Sequence, residues 1–158
     1  MMNALNIAHR GARSLAPENT IAAAELALAH GADMWEVDVA LSADGVPYLL
    51  HDDTLTRTTD AERRLPAAAP WRSGALTFAT LRDLDAGSWF NHSDPFGQIA
   101  SGAVSDAMRQ RYVGERLPSL AEALQFTRDH DWRINVEIKD LSESADDGTV
   151  VETVSNEV

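Results

Sequence analysis

Apolar positions in this chain follow two rhythms, one of strands and one of helices. Leu5–His9 is a short apolar run that ends at His9-Arg10-Gly11, which predicts a strand with a loop behind it. Ile21, Ala24 and Leu28 then recur at helical spacing, so a helix is predicted to about His30. Asn19 or Thr20 caps it and Gly31 closes it. Met34–Leu41 is the next strand. Strand, helix and strand at this spacing make a βαβ unit, so the two strands should run parallel. Ser42-Ala43-Asp44-Gly45 is a turn, and Val46–Leu50 is apolar again. A parallel neighbour needs a crossover of about a dozen residues. This connection is far shorter, so Val39–His51 is a hairpin. Folding about Ala43-Asp44 returns His51 opposite Glu36 or Val37.

The rhythm weakens from Thr54 to Pro118. Thr77–Leu84 predicts a short helix ending near Gly87, and Asn91–Arg116 is polar and mixed with no clear period. Ser119-Leu120-Ala121-Glu122 is a capping box that opens a helix to about His130. Arg133–Ile138 is a strand ending at Lys139, Asp140–Gly148 a polar loop, and Thr149–Val158 the start of a further helix. Strand ends thus carry His9, Glu36 with Asp38, and Glu137 with Lys139. Polar residues at the C-terminal ends of parallel strands, with helices between them, fit an α/β barrel. An eight-stranded barrel typically needs about 250 residues, and the chain has 158. The expectation is therefore the N-terminal part of one larger domain over residues 1–158, with an insertion-like region at about 54–116. Its last strand would present an open edge.

Side chains at i and i+2 of a strand share a face. Glu36 and Asp38 therefore point together, as do Glu137 and Lys139. An isolated Glu-x-Asp in a strand more often serves surface ion pairs. Here both dyads lie inside apolar runs, where an unpaired buried charge costs several kcal/mol, and that favours a site. Glu36, Asp38 and Glu137 are the expected ligands of one divalent cation. Oxygen donors suit Mg²⁺ or Ca²⁺, with Mn²⁺ also compatible. His9 and His51 are the candidate acid and base, because an imidazole titrates near neutrality. Each sits where a strand meets a loop, beside a charged neighbour. His30 and His130 fall at helix ends, where a cation is favourable. Arg10 and Lys139 are the candidate phosphate clamps, although Arg10 could equally pair with Glu18, Glu36 or Asp38. Asp52 either orients a neighbour or lies in solvent. Trp35 and Trp89 read as packing residues.

Composition narrows the setting. The chain is 44% hydrophobic and 24% charged, which fits a soluble globular domain. A net charge of −12 disfavours a nucleic-acid partner. It leaves an anionic small molecule open, because a metal and a few cations can dominate a cleft. There is no cysteine, so disulfides and zinc–thiolate sites are excluded. No apolar run reaches the roughly 18 residues of a membrane span, and Met-Met-Asn-Ala-Leu-Asn does not resemble a signal peptide. The expected location is cytoplasmic. The oligomeric state is open.

His9-Arg10-Gly11, Pro17-Glu18-Asn19-Thr20, Glu36-x-Asp38, Asp44-Gly45-Val46-Pro47, His51-Asp52, Leu55-Thr56-Arg57-Thr58-Thr59 and Val136-Glu137-Ile138-Lys139 together resemble the glycerophosphodiester phosphodiesterases. Their order and spacing agree across nearly the whole chain. The resemblance implies a TIM-type (β/α) barrel and metal-dependent hydrolysis of small glycerophosphodiesters, such as glycerophosphocholine or glycerophosphoethanolamine, to glycerol phosphate and an alcohol. It implies that His9 and His51 are the acid/base pair, in an order left open. It also implies that Glu36, Asp38 and Glu137 bind the metal, and that Arg10 and Lys139 bind phosphate. The family's insertion after its second histidine corresponds to the irregular region here, and its barrel strands continue further than this chain. Two other readings follow from that. One is an inactive truncated fragment or binding module of the same fold. The other is a sphingomyelinase-D-like phospholipase, against which the lack of cysteine and of a signal peptide argues.

Overall fold

The computed structural model describes residues 4–138, 151, 154 and 155. Its sheet has four strands: β1 (Ile7–His9), β2 (Met34–Leu41), β3 (Pro47–Leu49) and β4 (Ile134–Ile138). β2 is central. β4 pairs with it in parallel along one edge, from Trp35↔Ile134 to Val39↔Ile138. β1 pairs in parallel with its first half, ending at His9↔Glu36. β3 pairs antiparallel with its second half, Val39↔Leu49 to Leu41↔Pro47. Trp35 and Glu36 pair with both β1 and β4, and Val39 with both β3 and β4. A strand has two edges, so β1 and β3 lie end to end along the same edge. The predicted hairpin is present. Extending its register past Leu50, whose N–H donates to the Asp38 carbonyl, sets His51 across from Val37.

Helix α1 (Ile21–Ala29) is capped by Thr20, whose hydroxyl accepts from the Ala23 N–H at 3.2 Å. Of the two candidate caps, Asn19 is the one left for another task. The buried face of α1 is Ala23, Ala24 and Ala27, while Ile21 and Leu28 are half-buried. The expected Ile21–Leu28 stripe is thus shifted toward small residues. The β1–α1 loop requires this: a Cβ on Gly11, at φ +76, would stand 2.7 Å from the Ala23 Cβ. Helix α6 (Leu120–Asp129) opens with the predicted capping box, with Ser119 and Glu122 bonded reciprocally.

Alternation along β2 divides its two faces. Trp35, Val37, Val39 and Leu41 pack with Ala24 of α1 and with Leu120, Ala123 and Leu124 of α6. Trp35 is fully buried, stacks on Trp132 at 6.0 Å and donates its indole N–H to Thr127. Glu36 and Asp38 take the opposite face.

The region from Thr54 to Pro118 is more ordered than its sequence suggests. It holds α2 (Ala61–Arg64), α3 (Phe78–Arg82), α4 (Ser88–Ser93) and α5 (Asp106–Tyr112), with 3₁₀ turns at Pro66–Ala68 and Ser73–Ala75. Helices of four to seven residues show little periodicity and depend on tertiary packing. That packing comes from two clusters. One joins Tyr48 and Leu50 of the hairpin to Leu55, Leu81 and Leu84. The other joins Ala16 and Ala23 to Phe90, Val104 and Tyr112. The Asp85 carboxylate ties the segment together by accepting from the N–H groups of Gly87, Ser88 and Gly114. No helix among the described residues is long and apolar enough to cross a membrane. Lys139 and most of the helix expected from Thr149 lie outside the described residues.

Candidate active site

The polar face of β2 and β4 carries Glu36, Asp38 and Glu137, and Asp38 is in register with Glu137. One carboxylate oxygen from each lies within 4.8 Å of the others. Asp38 is fully buried, Glu36 nearly so, and Glu137 is exposed. Burial pushes the Glu36 carboxyl above its usual range, and the neighbouring Asp38 and Glu137 charges push the same way. Glu36 Oε1 is buried without a hydrogen bond. Three hard oxygen donors around a buried, unsatisfied carboxylate oxygen fit a divalent cation such as Mg²⁺ or Ca²⁺.

The loop after β1 shapes the rim of this face. Arg10 and Gly11 both adopt left-handed backbone, at φ 60 and 76. For arginine that conformation is strained, and strain of this kind concentrates at functional sites. It turns the Arg10 N–H onto Glu36 Oε2 at 2.8 Å. The Arg10 guanidinium lies 3.1 Å from Asp38 and donates to Glu18 at 2.9 Å. Of the three ion-pair partners foreseen for Arg10, the guanidinium meets Glu18 and Asp38, and Glu36 is met by the backbone N–H instead.

His9 and His51 come from strand ends that meet on the same edge of β2. His9 Nε2 is 3.8 Å from Glu36 Oε2, and its side chain is half exposed. Partial burial lowers its pKa, with Arg13 and Arg10 contributing. His51 Nδ1 lies 2.6 Å from Asp52 Oδ1. Burial alone would raise the Asp52 pKa, but hydrogen bonds from Arg57 and His51 outweigh it and hold the group at about 2. An ionised carboxylate only accepts, so His51 Nδ1 is the donor of this bond and Nε2 is the ring nitrogen left for other chemistry. Of the two roles open to Asp52, orienting a neighbour is the one observed.

Three residues take part in this shell in ways the sequence did not show. Asn19, at φ 56, donates from Nδ2 to Asp38 Oδ2 at 2.8 Å and accepts the Asp38 N–H at 3.2 Å. It fixes Asp38 through one carboxylate oxygen and the backbone N–H. Glu18 is shared by Arg10 and Arg57. Burial would raise its pKa, yet the two guanidiniums hold it below its usual range. Arg57 binds Glu18 and Asp52 together. The available signal was positional, since all three fall in the Pro17–Thr20 and Leu55–Thr59 motifs. His30 and His130 sit at helix ends as expected, each ring bonded to a carbonyl four residues back.

Residues 9–156 match the Glycerophosphoryl diester phosphodiesterase family. The chain belongs to that family. It is 39% identical over 122 residues to human glycerophosphodiester phosphodiesterase domain-containing protein 5, a match that covers 77% of this chain and 20% of the relative. The fold superposes on a glycerophosphodiester phosphodiesterase from Agrobacterium tumefaciens with TM-score 0.68 and 34% identity, covering 96% of this chain and 52% of that one. It also superposes on a phosphodiesterase from Oleispira antarctica, solved with the product sn-glycerol-3-phosphate. There the TM-score is 0.71 and the identity 32%, covering 96% of this chain and 50% of that one. The fold is thus the (β/α) barrel type of this phosphodiesterase family. The chain spans about half the length of those solved structures and a fifth of the human relative.

Proposed function

We propose that residues 1–158 supply the N-terminal, catalytic part of a glycerophosphodiester phosphodiesterase domain, with the segment at about 54–116 as an insertion. The domain hydrolyses small glycerophosphodiesters to glycerol phosphate and an alcohol. The observation that carries this reading is the convergence of Glu36, Asp38 and Glu137, with His9 Nε2 3.8 Å from Glu36, in a chain of this family. The product bound to the Oleispira enzyme supports the substrate class.

Glu36, Asp38 and Glu137 would hold one divalent cation, Mg²⁺ or Ca²⁺ by donor type, which would supply Lewis-acid polarisation of a phosphoryl oxygen. Arg10, at the rim, binds phosphoryl oxygens, and Lys139 follows Glu137 and Ile138 as a second clamp. Positive groups aimed at the phosphoryl oxygens stabilise charge that grows in the transition state. His9, whose pKa is lowered by partial burial, takes a proton from the attacking water. His51, held through Nδ1 by Asp52, returns a proton at Nε2 to the leaving oxygen.

The test is an assay of the full-length protein on glycerophosphocholine, glycerophosphoethanolamine and sphingomyelin, with chelation and metal add-back. Turnover of the glycerophosphodiesters that chelation abolishes and Mg²⁺ or Ca²⁺ restores is the expected outcome. Cleavage of sphingomyelin alone would move the protein to the sphingomyelinase-D-like class. No turnover of any substrate, with metal binding intact, would make it a binding module.

A further inference from the structure

A line of alternating charge runs from the metal-facing carboxylates to the second histidine. Asp38 meets Arg10 at 3.1 Å, Arg10 meets Glu18 at 2.9 Å, and Glu18 meets Arg57 at 2.7 Å. Arg57 meets Asp52 at 2.6 Å, and Asp52 meets His51 at 2.6 Å. Arg57 is the member that joins two otherwise separate loops. Its Nε and Nη2 grip both oxygens of Asp52, and its Nη1 and Nη2 grip both oxygens of Glu18. The guanidinium also lies over the Trp89 ring, 5.7 Å from its centroid. Trp89 is fixed in turn by its indole N–H on the Ala86 carbonyl. Trp89 belongs to α4, inside the region between the hairpin and α6.

From this geometry we infer that Arg57, backed by Trp89, is a positioning residue that fixes the Asp52–His51 pair against Glu18 and Arg10. The inference rests on the proposed phosphodiesterase reading for its kinetic consequence, though not for its structural one. The chemistry requires arginine. Only a planar fork reaches two carboxylates bidentately, whereas a lysine ammonium is a point charge that cannot hold both in a set geometry. Four of the five guanidinium N–H groups are engaged within the protein, which favours a strut over a substrate ligand. The inference also gives the segment after the hairpin a task, because it supplies the residues that hold His51 in place. A displacement of about 1 Å at a reacting group can cost on the order of 10²-fold in rate.

The test uses full-length wild type, Arg57→Lys and Asp52→Asn, with Arg63→Lys as a control. Arg63 is an exposed surface residue paired to Asp60, away from this line. Two readouts are taken: steady-state kinetics on glycerophosphocholine, and the ¹⁵N shifts of the His51 ring. Arg57→Lys should lower kcat at least about 10-fold with KM little changed. It should also shift the His51 nitrogens away from the wild-type pattern, and Asp52→Asn should reproduce that pattern change. Arg63→Lys should match wild type in both. A raised KM at unchanged kcat in Arg57→Lys would reassign Arg57 to substrate binding. Wild-type ring shifts in Arg57→Lys would overturn the strut. If Arg57→Lys fails to fold by thermal melting, Trp89→Leu, which removes the ring behind the guanidinium, takes its place in both readouts with the same expected and overturning results. An inactive wild type would defeat the phosphodiesterase reading, while the ring spectra would still judge the strut.

Discussion

At the residue scale the site is built from carboxylates whose neighbours aim them. Asn19 is the clearest case, because it meets Asp38 with both its amide donor and its carbonyl acceptor. Asn19→Ala leaves a buried carboxylate oxygen and a backbone N–H without those partners, at a cost of about 1–3 kcal/mol. The left-handed φ of 56 adds to the cost for alanine. The expected result is a lower melting temperature and weaker Mg²⁺ or Ca²⁺ affinity, measured by melting and calorimetric titration. A variant with wild-type affinity would show that Asp38 needs no clamp. The histidines give a second prediction. His9→Ala and His51→Ala should each lower kcat by at least about 10²-fold, the usual scale for general acid–base catalysis. With its pKa lowered by partial burial, Arg13 and Arg10, His9 should place the acidic limb of the kcat/KM profile below pH 6.5. A limb above that value would assign the base to another group.

Asp52 carries a stability prediction with a defined sign. Its folded pKa is about 2, against about 3.9 in an unfolded chain. A depressed carboxyl stabilises fully above its unfolded pKa and loses that contribution as pH falls through the folded one. Thermal melts across pH 6 to 2.5 should therefore drop most steeply below about pH 4. Asp52→Asn should flatten that part of the curve. An unchanged slope in the variant would mean that Arg57 does not hold this carboxylate ionised.

At the element scale, the strand-to-helix connections decide where the site residues land. Gly11 sits against α1 so closely that Gly11→Ala would collide with Ala23 and adopt an unfavourable φ. Gly11→Ala should lower the melting temperature and also weaken metal binding, since the same loop aims the Arg10 N–H at Glu36. Ser119→Ala removes the cap of α6 and should cost about 1 kcal/mol in stability without changing metal affinity. α6 packs on the face of β2 opposite the carboxylates. Comparing the two variants by melting and metal titration separates loops that shape the site from helices that only support the sheet.

At the scale of the whole molecule, three strand ends and one hairpin bring the chemistry to one place. Among the described residues, Asn135 and Glu137 on β4 are exposed while Glu36 and Asp38 on β2 are buried. Glu36 and Asp38 are buried, so a cation drawn to the site relieves charge repulsion held inside the fold. Any ligand that binds the folded state alone raises the melting point by mass action. Mg²⁺ or Ca²⁺ should therefore raise the melting temperature of wild type, and Glu36→Gln should abolish that shift. A metal-dependent rise that survives in Glu36→Gln would place the cation elsewhere.

Much of this was written locally. Met34–Leu41 is a strand because its branched and aromatic residues alternate with carboxylates, and the four-residue turn after it is too short for a crossover. Ser119 and Glu122 marked the start of α6 by their spacing alone. Period-two spacing also put Glu36 beside Asp38. The four short helices after the hairpin were not legible as a set, because each is too brief to show a period and is held by side chains far along the chain. The tasks of Asn19 and Arg57 were hidden for the same reason: their partners lie 19 and 39 residues away. The sequence by itself determined the parallel βαβ unit, the hairpin and the shared face of Glu36 and Asp38, since these follow from local periodicity and connection length. Only the tertiary structure decided which carboxylates are buried, which nitrogen of His51 is engaged and what holds it, because those depend on distant groups meeting in space.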